Sequence, residues 1–293
     1  MPKFIAPSHF YALSTVFLWS SAYVFTKIAL EHFTVASLGF LRSSIAALVL
    51  AGVMVLKKTP RPRAADLPWF LLSGATGLAL YLLAFNKGSA LLNPTTACLI
   101  ISTAPIITAF IARICFGEIL TAAGWWAMLS AFGGVALLML EEGSVSYSRG
   151  VFWMLLAAIL ISLYNIIQRK LAAGHDSLTI TAYSFLAATA LLGWGAAEAA
   201  QECREASAGY MAVAVFLGVF PSALAYLLWS KALAAASETS AVASYMYLTP
   251  LLALLLEYLI LGETPGAGTF IGGAVILASL VLFNRKGRGS VSG

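Results

Sequence analysis

Apolar residues run in ten long stretches, 9–30, 34–56, 67–91, 94–116, 121–140, 150–172, 176–198, 208–233, 239–260 and 265–283, with short polar breaks between them. Each is close to the roughly 20 residues that a helix needs to cross a ~30 Å hydrocarbon core. The strands of a membrane barrel are shorter and alternate polar with apolar positions. Segments 78–84 and 251–256 do not alternate. The pattern predicts an all-α integral membrane protein with ten transmembrane helices and no room for a soluble catalytic domain.

Composition agrees. Of 293 residues, 61% are hydrophobic and 10% are charged, with a mean hydropathy of +0.91, against about 25% charged in soluble domains. The first apolar run carries Trp19, Tyr23 and Lys27 and is longer than a signal-peptide core, so it reads as a retained helix. Cys98, Cys115 and Cys203 are far apart, without metal spacing, and read as small core residues. His9, His32 and His175 fall near span ends.

The net charge of +5 is spread among the spans, so it reads as topology rather than as nucleic-acid binding. With the N-terminus in the cytoplasm, that side holds Lys3, Lys57, Lys58, Arg61, Arg63, Arg113, Arg169, Lys170, Lys231, Arg285, Lys286 and Arg288. These are twelve of the 17 basic residues. The positive-inside rule then places both termini in the cytoplasm.

The two halves resemble each other. The segment from Lys87 to Ala97 aligns with that from Lys231 to Ala241 at an offset of 144, and Pro105 with Pro250 at 145. Gly117-Glu118 meets Gly262-Glu263, also at 145, and Ser21-Ala-Tyr23 meets Ser162-Leu-Tyr164 at 141. A unit of five spans reverses orientation from one copy to the next. The expected domains are a first repeat, 1–143, and an inverted second repeat, 144–293. Transporters use such repeats to build two related conformations around a midplane site.

These residues also resemble a known family. Arg42 follows an aromatic residue early in the second span, as in EamA-type proteins. The string Ala90…Thr95-Thr-Ala…Ala104-Pro105…Phe116-Gly-Glu118…Gly124 and its second copy, Ala234…Thr239-Ser-Ala…Thr249-Pro250…Leu261-Gly-Glu263…Gly268, match as well. Over nearly its whole length the chain resembles a ten-helix member of the drug/metabolite transporter superfamily, most of all the bacterial aromatic amino-acid exporters of the YddG type. The second half departs from the pattern in having no arginine equivalent to Arg42, with Tyr183 and Ser184 as the nearest polar groups.

Polar and aromatic residues inside spans mark the candidate site, because unsatisfied polar groups are costly in hydrocarbon. Trp19, Tyr23 and Lys27 share one face of span 1. Tyr81 and Phe85 lie one turn apart in span 3, and Ser102 shares a stripe with Thr95 and Cys98 in span 4. Tyr164, Asn165 and Gln168 cluster in span 6, Trp229 stands beside Ser222 and Tyr226 in span 8, and span 9 offers Ser244 and Tyr245. Spans 1, 3, 4, 6, 8 and 9 are thus expected to line a cavity. Spans 5 and 10, with the close-packing Gly268…Gly272 pair, are expected at the periphery.

Arg42, about 12 Å below the outer boundary at 1.5 Å per residue, must snorkel, pair or line a wet cavity. With Lys27 and Lys87 it suggests an electropositive external vestibule able to attract a carboxylate. Glu118 and Glu263 read as structural, at helix ends where the dipole favours negative charge. Glu257 stands about a turn from the outer end of span 9, and no acid or histidine is expected at mid-span.

No enzyme motif, metal-ligand set or nucleotide-binding loop is present in the sequence. No cofactor is called for. The resemblance implies an inner-membrane secondary transporter that exports aromatic and other neutral amino acids, or related amphiphilic metabolites, by alternating access, and the lack of a mid-span acid or histidine points to facilitated diffusion or exchange. The alternative is a proton-coupled multidrug exporter. The expected partners are a small-molecule substrate and membrane lipid, with the protein a monomer or weak homodimer. Topology can be checked by labelling a cysteine placed in the loop at 57–63. In intact cells an impermeant thiol reagent should leave it unlabelled, and ready labelling would reverse the orientation.

Overall fold

Prolines, glycines and short capping side chains set where the helices begin, break and end. The computed structural model describes residues 7–117, 120–142, 145–234 and 244–286. α1 (Pro7–Ala29) and α2 (Val35–Leu56) are joined by a turn in which the Thr34 hydroxyl accepts from the Ser37 amide. The third stretch is α3 (Leu67–Gly74), a π-helical turn (Ala75–Leu80) and α4 (Tyr81–Leu91). The fourth is broken into α5 (Pro94–Ile101) and α6 (Ala104–Phe116) just before Pro105, which has no amide to continue the ladder.

α7 (Ala122–Glu142) and α8 (Val145–Leu171) follow. α9 (Ser177–Leu191), capped by Asp176, bends by 55° into the segment that carries α10 (Ala196–Glu205). α11 (Ala208–Leu217) and α12 (Ala225–Ala234) flank a second π-helical turn, Gly218–Leu224, around Pro221. A 3-10 turn (Ser244–Leu248) leads into α13 (Thr249–Leu261), and α14 (Ala267–Lys286) closes the chain. Among the described residues, seven helices are long and apolar enough to cross a membrane, or eight if the bent pair is one span. Ala122–Leu138 and Thr249–Leu261 are shorter apolar helices, and the start of the expected ninth span lies outside the described residues.

The likeness of the halves extends to backbone detail. α6 and α13 are each 13 residues long, each starts with a proline in its first turn, and each ends on a left-handed glycine, Gly117 (φ 69°) or Gly262 (φ 70°). Both third spans widen into a π turn. The two copies run in opposite senses. α6 ends where Arg169, at the end of α8, lies over Phe116. His175, just beyond, pairs with Asp66 beside the start of α3 at 2.9 Å. This is the end of the bundle where α1 starts, called here the terminal end, since α2 returns the chain to it. α13 instead ends beside Lys27, at the far end.

Close approach between helices depends on a few glycines. α7 and α14 pack together through Gly134 and Gly272, and a Cβ on either would come within 2.9 Å of the other's carbonyl oxygen. In the π turn, a Cβ on Gly77 would fall 2.0 Å from the ring of Tyr164, so the missing side chain lets that tyrosine seat in the interior. Gly134→Val and Gly77→Val should each destabilise the protein by about 1–3 kcal/mol or more through overpacking. Gly52→Ala, where a Cβ meets nothing within 4 Å, should be neutral or stabilising because alanine favours helix by about 1 kcal/mol. Thermal unfolding midpoints in detergent measure both.

Candidate functional site

Aromatic side chains from both halves converge at mid-depth. Tyr23 packs on Phe85 with ring centroids 5.3 Å apart, and Phe85 on Tyr81 at 5.6 Å. Trp19 meets Tyr226 edge-on at 5.6 Å and Trp229 at 5.4 Å, while Phe185 meets Tyr226 at 6.0 Å. These rings, with Tyr164, wall a cavity of about 500 Å³. Gln168 donates to the Tyr164 hydroxyl one turn below, which fixes that ring.

The cavity has a closed and an open side. Tyr23, Arg42 and Phe85 are buried at its inner limit, whereas Asn165, Ser177 and Asn284, exposed residues nearer the terminal end, line its mouth. The cavity therefore opens toward the terminal end. Among its described lining residues none is Asp, Glu or His, and Arg42 is the charged one.

Arg42 is only 5% exposed. One guanidinium nitrogen donates to the Thr26 hydroxyl at 3.2 Å, and the group lies 5.7 Å over the Phe85 ring. Its Nε has no hydrogen-bond partner, and neither does Oγ1 of Thr249, which also lines the cavity. A buried arginine stays charged, so a guanidinium with an unpaired donor beside an aromatic cavity is chemically suited to receive an anionic group.

Of the residues singled out in the sequence, Trp19, Tyr23, Arg42, Tyr81, Phe85, Ser102, Tyr164, Asn165, Gln168 and Trp229 line this one cavity. Tyr245 does not. Its hydroxyl bonds His9 Nδ1 at 2.9 Å, and its ring packs with Trp229, Tyr11, Ala12 and Ala232. The side chain of Ser244 and residue Glu118 lie outside the described residues.

Several expectations change. Span 10 is not peripheral: Leu277, Leu280, Phe283 and Asn284 line the cavity, alongside Ser177, Thr181 and Phe185 from α9. Span polarity missed them because leucine and phenylalanine can line an apolar wall as readily as a core. The electropositive outer vestibule does not form. Lys27 donates to the Leu92 carbonyl at 3.0 Å, Lys87 sits 4.3 Å over the Trp153 ring, and Arg42 faces the opposite opening. Of the cysteines only Cys98 is buried, with Cys203 partly covered and Cys115 exposed. Glu257, expected about a turn from the span end, is fully buried.

Comparison with known proteins places the chain. The model of the EamA-like transporter family matches residues 6–140 and again 148–285. A protein of Streptantibioticus cattleyicolor described as a probable terminal-alkyne amino-acid exporter is 32% identical over 285 residues, spanning 93% of this chain and 91% of its own. An uncharacterized transporter of Bacillus subtilis, YdfC, is 27% identical over 90% of this chain and 86% of its own. A solved crystal structure shares the fold, with a TM-score of 0.63 at 20% identity and coverage of 94% of this chain and 95% of that one. With both halves matched over nearly their whole length, this multi-pass membrane protein belongs to the EamA-like transporter family.

Proposed function

We propose that the protein exports neutral amino acids, aromatic ones included, by alternating access, down the substrate's own gradient. The observation that carries this reading is the buried Arg42 with an unpartnered Nε at the inner limit of an aromatic cavity with no acid among its described lining residues. The guanidinium takes the substrate carboxylate. The ammonium rests among tyrosine hydroxyls and ring faces, where cation–π attraction contributes. The side chain stacks on Trp19, Tyr81 or Tyr164. A cavity of about 500 Å³ is within the range for small-molecule sites. The similarity to a probable amino-acid exporter supports the substrate class. With the terminal end in the cytoplasm, the described conformation is the loading one.

A cavity whose described lining includes no Asp, Glu or His is suited to carry substrate without a proton. Liposomes loaded with unlabelled substrate should therefore take up labelled phenylalanine or leucine by counterflow, with no pH or voltage gradient imposed. Amino-acid amides, which lack the carboxylate, should fail to compete. Arg42→Gln should weaken apparent affinity about 10–100-fold, since a hydrogen bond to a charged group contributes roughly 1.5–3 kcal/mol. Trp19→Ala and Tyr164→Ala should cost up to about tenfold for aromatic substrates, and less for alanine. Preference for lipophilic amines over amino acids would reject this reading in favour of a multidrug exporter.

A further inference from the structure

Glu257 closes the far end of the bundle in an unusual way. It lies in α13, in the second half, and is fully buried. Its Oε2 accepts from the Thr95 amide at 2.8 Å and also from the Thr95 hydroxyl. Thr95 stands in the first turn of α5, in the first half, so the carboxylate sits at a helix N-terminus, where the dipole favours it. The other oxygen, Oε1, is buried and has no partner.

Glu257 also lines a second pocket, of about 320 Å³, together with Lys27, Asn93 and the turn from Glu263 to Gly266. This pocket shares no lining residue with the central cavity. Among the described residues, Glu263 and Lys27 are the charged groups that line this pocket with Glu257, and α5 meets it with the two Thr95 donors. The 3-10 turn packed on the start of α13 belongs to its other end.

Among the described residues, the first half has no carboxylate at the matching position. The position 145 residues before Glu257 is Ala112, a buried residue of α6 with no carboxylate to offer. A buried carboxylate tie that Ala112 cannot repeat makes these two matched positions unequal.

We infer that Glu257 is a proton-binding site that releases the far-end gate: the carboxylate ties α13 to α5, and a proton arriving through the far-end pocket loosens the tie. The proton adds to Oε1 and forms an O–H bond, leaving Oε2 as the carbonyl oxygen of a neutral acid. The two Thr95 donors then lose their charged acceptor, and hydrogen bonds to an ionised group are roughly twice as strong as neutral ones. The proton enters and leaves on the same side, so it sets the opening of the gate and is not carried across. The inference rests on the alternating-access reading, not on the identity of the substrate.

The test uses a single cysteine at Ala22, deep in the cavity, with the native cysteines replaced by alanine. An impermeant maleimide is added to the far side in intact cells or to the terminal side in inside-out vesicles. The readout is the ratio of far-side to terminal-side labelling rates at the same pH. In the parent the ratio should be low at neutral pH and rise about tenfold in mild acid, as for the loss of ~1.4 kcal/mol. In Glu257→Gln it should be high at both. A variant that keeps the low neutral ratio, or the acid response, overturns the proposal. If Glu257→Gln is not labelled from the terminal side either, Thr95→Val decides: a raised neutral ratio supports the clamp, and an unchanged one overturns it. Fast labelling from both sides of the parent at neutral pH indicates a pore, and overturns alternating access and the clamp together.

Discussion

Polar groups inside hydrocarbon must find partners within the protein, and here that requirement fixes how the two halves hold each other. Ser162 in α8 donates to the Ala104 carbonyl at 3.0 Å and to its own helix, at Ala158, at 2.7 Å. Ser20 in α1 donates to the Thr249 carbonyl at 3.1 Å and to Val16 at 2.7 Å. Ala104 and Thr249 are the first residues of α6 and α13, the helices that begin at a proline break. In each half, the carbonyl of the residue that opens the helix after the break accepts a further hydrogen bond from the first helix of the opposite half. The halves are stitched twice by the same bond, at the depth where the cavity lies.

The breaks also shape the cavity. α5 and α6 part at Ser102–Thr103, and the π turns at Ala75–Leu80 and Gly218–Leu224 redirect the third span of each half. Irregular backbone is tolerated at membrane depth where it is buried in protein or lines a wet space. Ser102, Leu78, Pro221 and Ser222 all sit at such points and all line the cavity. Elsewhere regularity returns, as in α7 against α14, where glycines let two straight helices approach and leave little room to move. That pair forms a rigid flank beside the parts built from broken helices.

Most of this architecture was legible in the sequence. A hydrophobic run is a strong signal because the bilayer fixes its length, and paired proline and glycine positions mark the repeat because backbone breaks tolerate few residue types. Ten of the twelve residues singled out line one cavity, and eight of those ten are aromatic or amide side chains, which are costly or bulky to place elsewhere at mid-span. The rest was hidden for physical reasons. Tyr245 reads like a cavity tyrosine, but its orientation depends on meeting His9, from the opposite end of the chain. Leu280 and Phe283 carry no polarity to distinguish wall from core. The fate of Lys27, Lys87 and Arg42 turned on which end of the bundle closes, and helix spacing does not contain that information.

Closure at one end and opening at the other is where the repeat stops being symmetric. The serine-to-carbonyl stitches favour neither conformation, because each half supplies one. Ala112 stands at the position matching Glu257, and the position matching Arg42 in the second half is taken by uncharged residues. Both exceptions to the symmetry are charged, both are buried, and each has one polar atom left without a partner. A charge in low dielectric is costly unless it is paired. These two sites thus hold interaction energy that the described conformation leaves unused. In the proposals above, substrate at Arg42 and a proton at Glu257 supply the missing partners, one in the open cavity and the other at the closed end. On that proposal the repeated scaffold supplies the two conformations, and the two unmatched charges select between them.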